Sequence, residues 1–208
     1  MKNFNKNFIS FEGPECAGKT TQIEKLKQYF IKKNHKVLVT REPGGTILGE
    51  ELRDIVKYHQ NSKVSDKTEV LLFAASRAQL VNEKIKPALQ SGSIVICDRF
   101  IDSTLAYQGY ARNLDLQFIN QLNQFAIDTC IPNITFLLDL TYEESMKRLQ
   151  IRQDAKKNED RIEAESAEFH KTVRNAFLTI AKNAPNRIKI INAHESVEKI
   201  HSNIISFL

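Results

Sequence analysis

The chain lacks any run of apolar residues near the roughly 18 that a membrane span requires, which excludes a helical membrane protein. Among its 208 residues only three are cysteine, Cys16, Cys97 and Cys130. They are far apart and form no C-x-x-C pair, so neither a zinc site nor a disulfide framework is expected, and free thiols in a reducing compartment fit best. The opening segment, "MKNFNKNFISFEG", has lysines but no apolar stretch ending in a small-residue cleavage site; no signal peptide is read, and a cytoplasmic location is expected. No internal repeat or low-complexity stretch is present. The net charge is +5, but the lysines are spread along the chain with no aromatic-rich basic module, so no nucleic-acid partner is expected and small anionic ligands account for the charge. A chain of this length can bury a full core as one domain, residues 1–208.

What the chain does have is alternation. Apolar runs at residues 8–11, 37–39, 94–97 and 134–140, with 188–191 as a fifth, read as buried strands. Between them lie helical patterns at 22–33, 48–58, 68–89, 116–129, 142–152 and 163–181, and 196–207 closes the chain. Strand–helix alternation predicts an α/β fold, a parallel sheet with helices on both faces and ligands beyond the carboxyl ends of the strands. The most polar window, "RQDAKKNEDR" at 152–161, reads either as a solvated turn or as a mobile loop.

Glycine is scarce, at seven residues, yet two fall in one loop. "GPECAGKT", residues 13–20, matches G-x-x-x-x-G-K-[ST] between a strand and a helix, where a phosphate-binding loop must sit. Gly13 and Gly18 let the backbone fold so that successive N–H groups point inward, with Pro14, Glu15, Cys16 and Ala17 forming the rest of the concavity. Lys19 is placed for the terminal phosphates of a nucleoside triphosphate and Thr20 for the Mg²⁺ that accompanies them. A GTP-binding switch would add N-K-x-D on a later strand; the only N-K, Asn5-Lys6, precedes the first strand and lacks the Asp. "IVICDRF" ends a strand at Asp98, a second candidate magnesium ligand, and Arg99, a candidate phosphate clamp. "TREPGGT" ends another with Arg41, placed for a second phosphate. Arginines at two strand ends point to phosphoryl transfer between two anions.

Taken together, "FEGPECAGKTT", "TREPGGT", "LLFAASRAQL", "IKPAL", "CDRFIDSTLAYQG" and "DRIEAES" resemble, in order and spacing, the bacterial thymidylate kinase family. The resemblance runs from residue 8 to about 180. It implies a P-loop nucleoside monophosphate kinase fold with a five-stranded parallel sheet, a homodimer, and transfer of the γ-phosphoryl group of ATP to dTMP with Mg²⁺, giving dTDP and ADP for dTTP synthesis. Lys19, Asp98 and Arg99 would then act at the phosphates. Phe73 and Arg77, four apart on one helix face, would stack on the base and donate to its carbonyl; read alone, Phe73 is more often a core residue. Thr104 resembles the contact to the base's N3 edge, with Ser103 at the same helix start. Tyr107 resembles the ring that closes the space beside the sugar's 2′ carbon, and Glu15 the carboxylate near its 3′-hydroxyl. Arg53 and Gln108 look substrate-lining.

Some family members carry an arginine in the phosphate loop where this chain has Cys16. Those without one resemble this chain in having a basic lid, here bracketed by Arg148, Arg152, Lys156, Lys157 and Arg161. Arg152 is the first candidate for meeting the transferred phosphate. Two other readings stay open at this stage: a kinase for another monophosphate or a deoxynucleoside, and a nucleotide-binding regulatory protein without turnover.

Overall fold

The computed structural model describes residues 7–59, 63–153 and 160–208, with residues 152 and 153 as backbone only. The expected lid at about 152–161 therefore lies largely outside the described residues. Five strands form one sheet: β1 (Phe8–Glu12), β2 (Val37–Arg41), β3 (Ile94–Asp98), β4 (Ile134–Asp139) and β5 (Ile188–Asn192). Their order is β2-β3-β1-β4-β5, and every pairing is parallel. The fold class expected from alternation is thus observed.

Around the sheet run α1 (Lys19–Lys32), α2 (Ile47–Tyr58), α3 (Asp66–Leu80), α4 (Lys86–Gln90), α5 (Ile101–Thr104), α6 (Leu116–Ile127), α7 (Tyr142–Gln153), α8 (Ala167–Asn183) and α9 (Val197–Ile205). Because successive strand residues face opposite sides, Ile9, Phe11, Ile96, Phe136 and Leu138 pack against Ile23, Leu26 and Phe30 of α1 and Ile200 and Ile204 of α9. On the other face, Phe8, Val95 and Cys97 meet Leu80, Val81, Ile85 and Ile127. Leu137 and Ile188 meet Val173, Phe177 and Ile180 of α8. Each fully buried side chain of this size stabilises the fold by about 1.5–3 kcal/mol. Among the described residues, no helix is long and apolar enough to cross a membrane.

The structure departs from the sequence reading in two instructive ways. The strands run on past their apolar stretches into Glu12, Thr40 and Arg41, Asp98 and Asn192. A hydrophobicity pattern stops where these polar tips begin, although the ladder does not, for Arg41 still pairs with Asp98 and Phe11 with Asp98. The second departure is helical geometry. The pattern read at 68–89 is α3, a π-helical stretch Val81–Ile85, and α4 in succession. Residues 101–111, where periodicity shows no helix and only the resemblance places a helix start near Ser103, form α5 and a second π-helical stretch, Leu105–Ala111. Such stretches often mark functional sites.

Candidate active site

Five long helices begin with a side chain that accepts a backbone N–H: Thr46 for α2, Ser65 for α3, Asp115 for α6, Ser166 for α8 and Ser196 for α9. α1 begins at Gly18, in the left-handed region at φ 89°, with no side-chain cap. Its first N–H groups and the positive end of its dipole are therefore left for an anion. Gly13 is demanded by packing as well as by its φ of 133°, because a Cβ there would lie 2.3 Å from the Leu138 carbonyl oxygen on β4. The phosphate loop read from spacing is thus a strand-end turn pressed against the neighbouring strand.

Lys19 is buried, and its Nζ donates to the carbonyls of Pro14, at 2.8 Å, and Gly13, at 3.2 Å. The ammonium lies across the loop. Burial, followed by the charge of Arg99, lowers its pKa from the ordinary lysine value. Thr20 Oγ1 donates to Asp98 Oδ2 at 3.4 Å, which brings one hydroxyl and one carboxylate together beside the loop. Hard oxygen donors of this kind fit Mg²⁺, which is held by one or two protein oxygens together with substrate phosphates. The described residues contain no cluster of three His, Cys, Asp or Glu.

Arg99 sits just past the end of β3 with φ 68°. Its Nη2 donates to Glu15 Oε1 at 2.6 Å and its Nη1 to the Gly13 carbonyl at 2.9 Å, while its guanidinium lies 5.2 Å from the Tyr107 ring centre. Burial works against its charge, and the ionised forms of Tyr107, Glu15, Glu12 and Asp98 oppose that, so the Arg99 pKa lies above the ordinary arginine value. The Tyr107 hydroxyl is buried with no hydrogen-bond partner among the described residues. Burial pushes its phenol well above the ordinary tyrosine value.

One cavity of about 590 Å³ gathers these groups. Of the sequence-predicted residues, Glu15, Cys16, Ala17, Gly18, Lys19, Thr20, Arg41, Arg53, Phe73, Asp98, Arg99, Ser103, Thr104, Tyr107 and Gln108 line it. Arg41 is tied to Glu50 at 2.9 Å, and Arg53 donates to the Pro43 carbonyl at 2.8 Å. Gly13, Pro14 and Arg77 are not part of that lining. Arg77 is 1% exposed, and its guanidinium donates to both Glu42 oxygens, to Asn123 Oδ1 at 2.6 Å, to Thr104 Oγ1 at 2.9 Å and to the Phe100 carbonyl. The structure therefore places it behind the pocket wall, holding Thr104 and the β2 loop, where the sequence pointed to a donor for the base.

Of the basic residues read as bracketing the lid, Arg148 lines the cavity and bonds Glu144 at 2.9 Å. Arg161 is turned to Glu69 and the Val56 carbonyl. Arg152, Lys156 and Lys157 lie outside the residues whose side chains are described.

Four contributors escaped the sequence reading. Lys57 and Asp160, which also line the cavity, form a close ion pair. Glu69 collects Gln108, Arg112 and Arg161. Glu12, at the buried tip of β1, accepts from the Phe100 N–H at 2.8 Å and the Ser103 hydroxyl at 2.6 Å. Burial and then the nearby Asp102 charge push its carboxyl up to about 8. The only sequence signal for Glu12 was its place just before the phosphate loop.

Comparison with known proteins gives one answer. A family model described as thymidylate kinase matches residues 11–204. The thymidylate kinase of Thermoanaerobacter pseudethanolicus is 46% identical over 198 residues, 95% of this chain and 95% of that protein. That of Bacillus licheniformis is 44% identical over 196 residues, 94% of this chain and 92% of its own. The crystal structure of thymidylate kinase from Ehrlichia chaffeensis superposes with a TM-score of 0.78 at 36% identity, covering 96% of this chain and 97% of that one.

Proposed function

The chain belongs to the thymidylate kinase family, and we infer from that premise how its own residues perform the transfer of the γ-phosphoryl group of ATP to dTMP. The observation that carries the assignment of roles is convergence: a phosphate loop, a strand-end Asp–Arg pair and a half-apolar pocket open into one cavity. The uncapped start of α1 and the Lys19 ammonium receive the donor's phosphates. Thr20 and Asp98 would hold the Mg²⁺, which when bound would supply charge neutralisation at those phosphates. Arg99 lies where donor and acceptor phosphates meet, and Arg41 and Arg53 stand at the end of the β2 side for the acceptor's phosphate. Phe73 supplies a face for the base, Thr104 and Gln108 its polar edge, and Tyr107 with Glu15 the sugar. There is little covalent chemistry for the protein to do, so positioning and charge stabilisation supply the rate. Arg152 keeps the role its position suggests, a lid guanidinium for the transferred group.

The chain acts as one catalytic domain and pairs as a homodimer. Support for pairing comes from apolar side chains on two helices that pack together: Leu71 on α3, and Phe118 and Phe125 on α6, the last 83% exposed. A coupled assay for ADP, run with dTMP, other nucleoside monophosphates, thymidine and no acceptor, tests the assignment. ADP formation is expected with dTMP well above every other acceptor. Equal turnover with and without dTMP would leave a nucleotide-binding protein instead.

A further inference from the structure

Glu69 lies in the first turn of α3 and is buried, outside the lining of the cavity. A buried carboxylate is costly unless it is fully paired, and this one is. It accepts from Gln108 Nε2 at 2.7 Å, from Arg161 Nη2 at 2.6 Å, and from Arg112 Nε and Nη2 at 3.4 and 3.3 Å. Three parts of the chain therefore converge on one side chain: α3, the π-helical stretch that carries Gln108, and the segment after the lid.

Burial works against the charge of Glu69, but the Gln108 amide and the charges of Arg112 and Arg161 outweigh it and hold its carboxyl below the ordinary glutamate value. An ionised carboxylate can only accept. A glutamine amide can present either its oxygen or its nitrogen to a neighbour, and the neighbour's chemistry decides which. Facing Glu69, Gln108 must give Nε2, so the polar atom it retains for the cavity it lines is the carbonyl oxygen Oε1. Thr104 Oγ1, on the same side, already accepts from Arg77.

We propose that Glu69 is a positioning residue that sets base specificity by locking the Gln108 amide with its oxygen toward the ligand. The proposal rests on Gln108 lining the acceptor pocket for dTMP. A fixed acceptor matches a pyrimidine whose N3 carries hydrogen. It opposes a 4-aminopyrimidine, whose N3 presents a lone pair, and buried polar groups facing like groups discriminate strongly.

The probe is 5-methyl-dCMP, which keeps the methyl group, sugar and phosphate of dTMP and changes only the N3 and C4 edge. In the wild-type protein kcat/KM should favour dTMP strongly. Glu69→Gln introduces a group that can donate as well as accept, so the Gln108 amide is free to turn. The preference should then narrow by roughly tenfold or more, the scale of one exchanged hydrogen bond, with the dTMP KM raised more than its kcat falls. A merely supporting Glu69 would lower both substrates in parallel, and an unchanged ratio with folded protein overturns the proposal. Gln108→Leu leaves Glu69 its two arginines and covers the case in which Glu69→Gln does not fold. It should narrow the same ratio, and an unchanged ratio there is equally fatal. A wild-type protein inactive on dTMP would remove the acceptor assignment itself, a result readable before any variant is made.

Discussion

The proposed donor and acceptor sides of the cavity are built in opposite ways. On the donor side one continuous stretch, β1, the loop and α1, makes nearly the whole site, and Lys19 bonds a carbonyl only six residues away. The acceptor side is assembled across the chain: Arg77 reaches Glu42 over 35 residues and Arg161 reaches Glu69 over 92. Backbone groups and a helix end do the work on the first side. On the second, buried charges set the shape of the wall. A local nest should therefore tolerate loss of a side chain in stability but not in catalysis, whereas the acceptor wall should lose stability first.

Lys19→Ala is the sharpest test of the donor half. Removing the one ammonium that lies across the loop should lower kcat by at least about a hundredfold to a thousandfold, the scale of a lost transition-state donor. Thermal unfolding should stay near wild type, since the burial that lowers the lysine's pKa is itself unfavourable to its charge. Turnover close to wild type would break the phosphate-loop assignment.

On the acceptor half the matching change is Arg77→Met. Glu42 would stay buried with its main partner gone, and breaking such a pair typically costs about 3–5 kcal/mol. Urea unfolding is the measurement, and adding Glu42→Gln should recover part of the loss. If Arg77→Met unfolds like wild type but loses dTMP binding, Arg77 is a ligand contact in the sense first expected from the sequence, and the contrast between the two sides weakens.

Glu12 sits at the seam between them. Its folded carboxyl is raised to about 8 from an ordinary 4.5, so between those pH values the folded state holds a proton that the unfolded state has released. Stability from this group is complete below about pH 4.5 and is lost as pH rises toward 8, at no more than about 1.4 kcal/mol per pH unit for one proton. Glu12→Gln removes that slope. Unfolding curves from pH 5 to 8.5 should show the variant gaining on wild type as pH rises, and a gap constant with pH would mean that Glu12 is ionised throughout.

The same contrast explains what could be read without coordinates. All five strands and the phosphate loop were legible because their signals are local: apolar runs, and glycines at fixed offsets from a lysine. The polar tips of β1, β2 and β5 lie outside the apolar runs, since Glu12, Arg41 and Asn192 look like loop in a hydrophobicity pattern, whereas Asp98 is read as a strand end from its motif and Asp139 falls inside the run at 134–140. Phe73, Thr104, Tyr107 and Gln108 were named through resemblance, and the stretch that carries Tyr107 and Gln108, which is π-helical, gave no periodic signal. Glu69 and Lys57 had no signal at all, and Asp160, though it opens the motif "DRIEAES", carried no assigned role, for nothing in local spacing records a bond made 39 or 103 residues away.

The smallest expected effect is at Cys16. Its φ of 55° lies in the left-handed region, where a residue with a Cβ is held at a cost of about 1–2 kcal/mol. Glycine adopts that conformation freely, so Cys16→Gly relieves the native state. Glycine also widens the unfolded ensemble, which costs about 0.4–1 kcal/mol in the opposite direction. The two terms oppose each other with the relief the larger, so the variant should be more stable by about 1 kcal/mol. Activity should move little as well, because a loop that binds through its backbone keeps its shape when the side chain goes. Steady-state kinetics with ATP varied at saturating dTMP would measure this. A tenfold loss in kcat would show that the side chain at position 16 itself acts on the phosphates, and the donor half could no longer be described as a nest of backbone groups around one lysine.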